Sequence, residues 1–270
     1  MSTGKISLAF KLEHLRDKLA STHRVAKYEY MQYYTSCKPE INKINTGSFW
    51  DIQLSKQTNR YKTSPIEQHR ISLIAKEIFK LSKNNKIKLL DVGIGNALIE
   101  DRVYGSKNIE IFGVDISDYA IHKAKSKFRG IFKLGSITKL SFEKSMFDVV
   151  VSEVLEHIPP PFTFRALSEI SRVLAPEGYL LLSIPVNENL KEMVTKKRIN
   201  PNQHAREYTK NIIKTELRLS GFVVYGITEL YAFPDNYFIK SFFIKFIRLF
   251  TNKILSKLQV NNLIIFAQKK

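Results

Sequence analysis

The sequence predicts an α/β protein with a mostly parallel sheet that helices cover on both faces. Three observations indicate this fold. Apolar runs typical of buried strands alternate with segments of helical spacing from about residue 65 onwards. The first of these runs ends in Asp91 and is followed by Gly93 and Gly95. A second run ends in Asp115, twenty residues after Gly95. In such sheets ligands bind at the carboxyl ends of the strands, where these residues would lie.

The order of elements follows from the same pattern. We expect strands near 88–92, 109–114, 130–134, 147–152, 178–184, 222–228 and 262–267. Helices are expected near 97–103, 118–127, 162–174 and 209–220. An earlier helix should start at Pro65, because proline suits a first turn. The predicted divisions are an N-terminal helical extension at 1–64, a core at 65–235, a helical insertion at 236–260 and a last core strand at 261–270.

The glycine pattern favours a nucleoside cofactor over a dinucleotide. A dinucleotide site requires a third glycine where this chain has Leu98. The alternative pattern of acid, two glycines and a small residue fits Asp91, Gly93, Gly95 and Ala97. Glycines let backbone approach a ligand closely because they lack a Cβ. An acid at the tip of the second strand can accept hydrogen bonds from both ribose hydroxyls, which is the role expected of Asp115.

This glycine segment resembles the first motif of class I S-adenosylmethionine-dependent methyltransferases. Further segments resemble later parts of that family in the expected order. They are 114–117, 135–142, 147–158, 170–183, 204–209 and 221–222. The resemblance implies a Rossmann-like seven-stranded sheet with an antiparallel last strand, S-adenosyl-L-methionine as cofactor, and methyltransferase activity. The 147–158 and 204–209 segments resemble enzymes of quinone and cell-surface glycan biosynthesis.

The resemblance also implies the cofactor-binding residues. These are Asp91, Gly93, Gly95 and Asn96 beside the amino-acid part, Asp115 and Ile116 at the ribose, Ser136 and Ile137 at the adenine, and Glu153 at the methyl end.

Glu153 is therefore a cofactor-binding candidate, since it follows the fourth predicted strand. Arg70 has two interpretations. Its guanidinium could pair with the carboxylate of the cofactor, because arginine matches a carboxylate in a two-bonded geometry, or it could be an exposed charge on a helix. Trp50 and Tyr61 precede the first core helix and are candidates for a lid over the cofactor, while the polar stretch 42–47 is expected to be a linker.

Methyl transfer from a sulfonium is an in-line displacement, in which the protein mainly positions the acceptor. A hydroxyl acceptor gains from a general base, and the unperturbed pKa of histidine near 6.5 suits that role. His157 follows the fourth strand and is the first candidate, with Glu153 and Glu156 as alternatives. His204 comes from a later loop that borders the substrate opening in the family. We expect no metal site, because no His, Cys and Asp residues have convincing ligand spacing.

The chain is strongly basic, with a formal net charge of +18 over 270 residues. Residues 191–270 carry 15 Lys and Arg against 5 Asp and Glu. Such a charge favours anionic partners, or it simply maintains solubility. The segment 236–258 combines bulky apolar residues with lysines, which suits contact with a membrane surface, packing on its own core, or a homodimer. Cys37 is the only cysteine, and the sequence has neither a signal-like N-terminus nor an apolar run of 18 residues, so a cytoplasmic location, or one peripheral at the membrane, is expected.

Three functional hypotheses remain open at this point. The first is O-methylation of a sugar, a glycan or another small metabolite, with a lipid-linked acceptor as one form of it. The second is methylation of RNA, which the charge supports, although the sequence has no Asn-Pro-Pro-Tyr-type loop and no appended RNA-binding module. The third is a non-catalytic subunit that keeps the fold, which the departures at Ala97 and Ser136 allow and Asp115 opposes.

Overall fold

The computed structural model describes residues 45–56, 65–185, 205, 208, 210–231 and 260–270. Its centre is a seven-stranded sheet in the order β3-β2-β1-β4-β5-β7-β6. The strands are β1 (Ile87–Val92), β2 (Ile109–Asp115), β3 (Ile131–Leu134), β4 (Phe147–Ser152), β5 (Leu174–Pro185), β6 (Phe222–Tyr231) and β7 (Val260–Lys269). Strands β1 to β5 pair in parallel, and β7 runs antiparallel between β5 and β6. The predicted α/β, Rossmann-like fold with an antiparallel last strand is confirmed.

Six helices are described around this sheet, together with a short 3-10 turn at Leu155–His157. The helices are α1 (Gly47–Lys56), α2 (Pro65–Leu81), α3 (Leu98–Val103), α4 (Asp118–Lys127), α5 (Pro160–Val173) and α6 (Lys210–Leu219). Local signals explain their bounds. In α2, Ile71, Ile74 and Ile78 recur at helical spacing and are buried. Helix α4 begins after Ser117, whose Oγ accepts a hydrogen bond of 3.1 Å from the backbone N–H of Ala120.

The central strands β1, β2, β4 and β5 are mostly apolar because both faces of the sheet are buried there. Adjacent residues of β1 point to opposite faces, so Leu89 and Leu90 join different clusters. Leu90 packs in the cluster that contains Phe112 and Phe147. The rings of these two phenylalanines meet edge to face, with centroids 5.1 Å apart. Burial on both sides fixes the positions of the strand ends, and those ends carry the residues of the candidate site.

The sequence differs from the structure in the region before the core. The extension at 1–64 was expected to be helical, but no helix was assigned to 47–56, and Gly47, which was assigned to a linker, is the first residue of α1. The helix was missed because its apolar residues do not form a clear stripe, although Thr46 marks its start. The Thr46 hydroxyl accepts a hydrogen bond of 3.3 Å from the backbone N–H of Phe49. Strand β5 also starts earlier than predicted, at Leu174.

Several predictions fall on residues that the structure does not describe. They include most of the extension at 1–64, the insertion at 236–258, and the proposed membrane contact and dimer surface of that insertion. The division of the chain at these bounds stays a prediction. None of the helices that are described has the length and apolar character needed to cross a membrane.

Candidate active site

A cavity of about 570 Å³ lies at the carboxyl ends of β1, β2, β4 and β5. This volume is in the range of sites for small molecules and cofactors. Its lining combines the loop after β1, the end of β2, the segment after β3, the 3-10 turn after β4, and residues of α1 and α2. The carboxyl ends of parallel strands meet at one edge of the sheet, so residues far apart in sequence lie together here.

The loop after β1 needs its glycines for two different reasons. Gly93 has a φ of +91°, and a Cβ at this residue would lie 2.1 Å from a side-chain carbon of Val154. Gly95 has a φ of +50°, and its N–H donates to Asp115. Ala97 also has a positive φ, of 59°, although it carries a Cβ. The departure from glycine at this residue therefore places an alanine in a backbone region that L-residues rarely occupy.

Asp115 is fixed at the tip of β2 by backbone hydrogen bonds. Its Oδ2 accepts from the Gly95 N–H at 2.9 Å, and its Oδ1 accepts from the Ser117 N–H at 2.8 Å. Burial raises the pKa of Asp115, while these backbone donors oppose the rise. Only 8% of the residue is exposed, and it lines the cavity. Each carboxylate oxygen keeps a further lone pair, so the side chain can accept hydrogen bonds from the hydroxyls of a ribose.

Asp91 lies beside a second buried acid that the sequence did not indicate. Asp91 is 3% exposed and Glu100, on α3, is 1% exposed. Burial raises the pKa of Asp91 well above its usual range, and the neighbouring carboxylate of Glu100 adds to the rise. Burial likewise raises the pKa of Glu100 to about 7. Two carboxyl groups can hydrogen-bond to each other only when one is protonated, so this pair favours a shared proton.

The segment after β3 also lines the cavity. Ser136 and Ile137 both line it, and Ile137 is buried. The hydroxyl of Ser136 is 3.0 Å from that of Thr138 and accepts a hydrogen bond of 3.3 Å from the Thr138 N–H. Asn96 and Ile116 also line the cavity, and the Asn96 Oδ1 accepts from Lys123 at 3.0 Å. The residues expected around adenine and ribose are thus brought together.

Helix α1 closes one side of the cavity and is attached to the start of α4. The Asp51 carboxylate accepts hydrogen bonds from the Ser117 hydroxyl at 2.6 Å and from the Tyr119 N–H at 3.1 Å. Gly47 lies so near Ile116 that a Cβ would be 2.4 Å from the Ile116 carbonyl oxygen. Only glycine permits this approach, which fixes the first turn of α1 over the Asp115 region.

His157 lies at the end of the 3-10 turn, inside the cavity. Its ring meets that of Trp50 edge to face, with centroids 4.8 Å apart and an angle of 74°. Its backbone carbonyl accepts a hydrogen bond of 2.8 Å from Asn45. The Nε2 of His157 is 3.8 Å from a carboxylate oxygen of Glu156. Trp50 and His157 therefore form one wall, to which the segment before the core contributes directly.

Arg70 lines the cavity from α2 and is 7% exposed, so the interpretation as an exposed helix charge is wrong. Its guanidinium donates to Glu67, to Glu153 and, at 3.0 Å, to the Ser183 hydroxyl. Burial lowers the pKa of Arg70, but the carboxylates of Glu153 and Glu67 outweigh burial and raise it overall. The expected pairing with the carboxylate of a cofactor would add a third carboxylate to a guanidinium that already holds two.

All ten predicted cofactor-binding residues line this one cavity, as do the other candidates Trp50 and Glu156. The ten are Arg70, Asp91, Gly93, Gly95, Asn96, Asp115, Ile116, Ser136, Ile137 and Glu153, with His157 as the predicted base beside them. His204 and Tyr61 lie outside the described residues. The sequence did not point to several further lining residues, namely Asn45, Glu67, Phe162, Ser183 and Asn262. Glu67 was the most accessible of these to sequence reasoning, because it lies one helical turn before Arg70.

Comparison with known proteins agrees with this geometry. The family described as "Methyltransferase domain" matches residues 90–182. Two uncharacterised methyltransferases of Schizosaccharomyces pombe are similar. One is 35% identical over 109 residues, which span 34% of this chain and 38% of that protein. The other is 27% identical over 172 residues, which span 58% of this chain and 68% of that protein.

A solved structure has the same fold. Magnesium protoporphyrin IX methyltransferase from Synechocystis PCC 6803, determined with bound SAH, superposes with a TM-score of 0.62 at 14% identity, over 86% of this chain and all of that one. The matched segment contains Asp115 and the loop 93–97 after β1 (the glycine loop), which lie at the carboxyl edge of the sheet. Residues 90–182 thus match the methyltransferase-domain family, and the chain has the same Rossmann-like fold as this solved methyltransferase.

Proposed function

We propose that this protein transfers a methyl group from S-adenosyl-L-methionine to a hydroxyl of a sugar, a glycan or another small metabolite. The observation that carries the proposal is the continuity of the cavity. Asp115, at the end of β2, and the glycine loop after β1 line one part of it, and His157, which follows β4, lines another part together with Trp50. A cofactor and an acceptor can therefore meet inside one cavity.

The residues divide the work between binding and proton transfer. The sulfonium of the cofactor supplies an already activated methyl group. Asp115 binds the ribose hydroxyls, and Gly93 and Gly95 allow the backbone to lie against the amino-acid part. As the acceptor oxygen bonds to the methyl carbon and the carbon–sulfur bond breaks, the hydroxyl proton passes to the imidazole of His157. The Glu156 carboxylate, 3.8 Å from Nε2, stabilises the imidazolium that results.

The walls near His157 support a sugar-like acceptor. Trp50 offers an aromatic face and edge, against which the apolar side of a sugar ring can pack. Ser183 and Asn262 provide polar groups on the β5–β7 side, and the Ser183 hydroxyl is hydrogen-bonded to the Asn262 side chain at 3.0 Å. Such a mixture of one aromatic wall and a few convergent polar groups is typical of sites for small polar molecules.

Methylation of RNA is the second candidate, and the net charge of +18 is the observation that favours it. The two candidates differ in what they predict for salt. Binding of RNA through phosphates should weaken steeply between 50 and 200 mM salt, whereas binding of a neutral glycan should change little.

The test is methyl transfer itself. Purified full-length protein would be incubated with S-adenosyl-L-methionine labelled in its methyl group and with matched pools of neutral glycans, acidic glycans, small hydroxylated metabolites and RNA. Incorporation into a glycan or a small hydroxylated metabolite, lost in Asp115→Ala, is the expected result. Incorporation into RNA alone would refute the proposed acceptor class. If calorimetry detects no cofactor binding to the folded protein, the enzymatic proposal is refuted and a non-catalytic role remains.

A further inference from the structure

The side chains around Arg70 form a buried charged assembly between four elements. Glu67 and Arg70 come from α2, Glu153 follows β4, and Ser183 lies on β5. The Arg70 Nη1 donates to both Glu153 and Ser183, and its Nε donates to Glu67 at 3.0 Å. The Ser183 hydroxyl in turn is hydrogen-bonded to Asn262 on β7. The carboxylate of Glu153 is therefore held in place and cannot turn away from the cavity without breaking these contacts.

The strand order places Glu153 at the reacting end of the cavity. Asp115 ends β2, the glycine loop follows β1, and Glu153 follows β4, and these three strands are neighbours in that order. A cofactor whose ribose lies on Asp115 and whose chain passes the glycine loop must extend towards β4. Its sulfonium, which joins the ribose to the amino-acid part beside the glycine loop, then presents its methyl group towards Glu153. The acceptor has to approach from the far side, where His157 and Trp50 lie.

The cavity is acidic although the whole chain is basic. Among the described residues that line it, five carry carboxyl groups, namely Glu67, Asp91, Asp115, Glu153 and Glu156. Arg70 is the one lysine or arginine in that described lining, and Glu67 and Glu153 both accept hydrogen bonds from it. Two carboxylates around one guanidinium leave a net negative charge. Burial raises the pKa of Glu153, and the adjacent Arg70 opposes this and favours the ionised form.

We propose that Glu153, positioned by Arg70, is a specificity-determining residue that selects for positive charge at the point of methyl transfer. It favours the sulfonium over the neutral thioether product, and it disfavours acceptors that carry a phosphate or carboxylate beside the reacting atom. The suitable acceptor is a neutral hydroxyl compound or one that bears an amine. This inference rests on the proposed function, because it assumes that the cavity binds S-adenosyl-L-methionine.

Three ligands that differ in charge at one atom test the inference. S-adenosyl-L-methionine is positive at sulfur, S-adenosylhomocysteine is neutral there, and sinefungin carries a protonated amine in place of the methyl sulfonium. Their dissociation constants would be measured by calorimetry at pH 7.5 for the parent, for Glu153→Gln and for Glu169→Gln. The Glu169 variant is a matched control, because Glu169 also pairs with an arginine, Arg172, but does not line the cavity.

The expected result is selective loss in one variant. The parent should bind the two positive ligands about tenfold or more tightly than S-adenosylhomocysteine. Glu153→Gln should reduce that ratio about tenfold while its affinity for S-adenosylhomocysteine changes less than about threefold. Glu169→Gln should keep the parent ratio. Thermal unfolding of each variant checks that the fold is intact. If Glu153 had only a structural role, Glu153→Gln would weaken the binding of all three ligands equally.

Two other outcomes overturn the inference, and they are distinguishable. If all three ligands bind with equal affinity to the parent, or if Glu153→Gln weakens them equally, the selectivity is refuted while the proposed function stands. If none of the three binds to folded parent protein, the proposed function fails and this inference fails with it.

Discussion

The buried acid Glu100 gives a prediction that depends on folding alone. Burial raises its pKa to about 7, from 4.5 for an ordinary glutamate. Between these two values the folded protein keeps a proton that the unfolded chain has released. Because the folded state binds more protons, the free energy of unfolding falls as the pH rises through this window. At about 1.4 kcal/mol per pH unit, the loss over the window is about 3 kcal/mol.

We expect Glu100→Gln to remove this loss. Glutamine cannot ionise, so the variant never acquires the buried charge that Glu100 gains as the pH rises above about 7. At pH 8 the variant should be more stable than the parent by up to about 3 kcal/mol, or about 5–10 °C in Tm for a chain of this size. At pH 5 the two proteins should differ by less than about 1 kcal/mol, because both are then uncharged at residue 100 in the folded state.

Thermal unfolding followed by circular dichroism from pH 5 to pH 8 measures this difference. Glu169→Gln is the control, since hydrogen bonds from Arg172 lower the pKa of Glu169 and the benefit of its charge is already complete at pH 5. That variant should be less stable than the parent by a nearly constant amount across the range. Parallel curves for the parent and Glu100→Gln would show that Glu100 is not held as a neutral acid, and the reasoning about the pair would be wrong.

Three further variants test the site. Asp115→Ala should weaken binding of S-adenosyl-L-methionine by about 1.5–3 kcal/mol in calorimetry, because the ribose loses a charged acceptor; unchanged affinity would contradict the ribose assignment. His157→Gln should lower kcat by about 10²–10⁴ and leave the cofactor affinity within about twofold, if the ring accepts the acceptor proton; equal turnover would return His157 to a packing role. Gly47→Ala should displace α1, because its Cβ would meet the Ile116 carbonyl oxygen at 2.4 Å, and should raise the cofactor Kd several-fold with little change in Tm. A parent-like Kd would show that α1 does not cover the cofactor.

The sheet and its binding edge could be predicted because their signals are local. Each strand is an apolar run, and Asp91, Gly93 and Asp115 follow directly from such runs. Because the sheet is parallel and covered on both faces, its strand ends meet at one edge, and this could be predicted without knowing any side-chain contact. Asp115 could be assigned to the binding site for this reason, because its place at the end of a strand is enough to locate its side chain at the binding edge.

The charged contacts of the site could not be predicted, because they join residues that are remote in sequence. Arg70 is 83 residues from Glu153, and its environment decides whether it is an exposed charge, a carboxylate ligand or a positioning group. The same holds for Asp51, which is 66 residues before Ser117 and attaches α1 to α4. The Asp91–Glu100 pair was accessible in principle, since one turn of helix separates Glu100 from the glycine loop, but nothing in the pattern indicates that its side chain turns inward.

The contrast between surface and cavity bears on how the net charge should be interpreted. A charge of +18 suggested anionic partners, yet the described lining of the cavity holds five carboxyl groups and a single arginine that two of them neutralise. A positive surface raises the local concentration of anions around the whole molecule. It does not stabilise an anion inside a cavity whose fixed charges are negative, because interactions at close range and low dielectric outweigh the screened field of distant lysines. If an anionic glycan, lipid or RNA is the physiological partner, its charged groups must contact the basic exterior while a neutral or amino-bearing part enters the cavity.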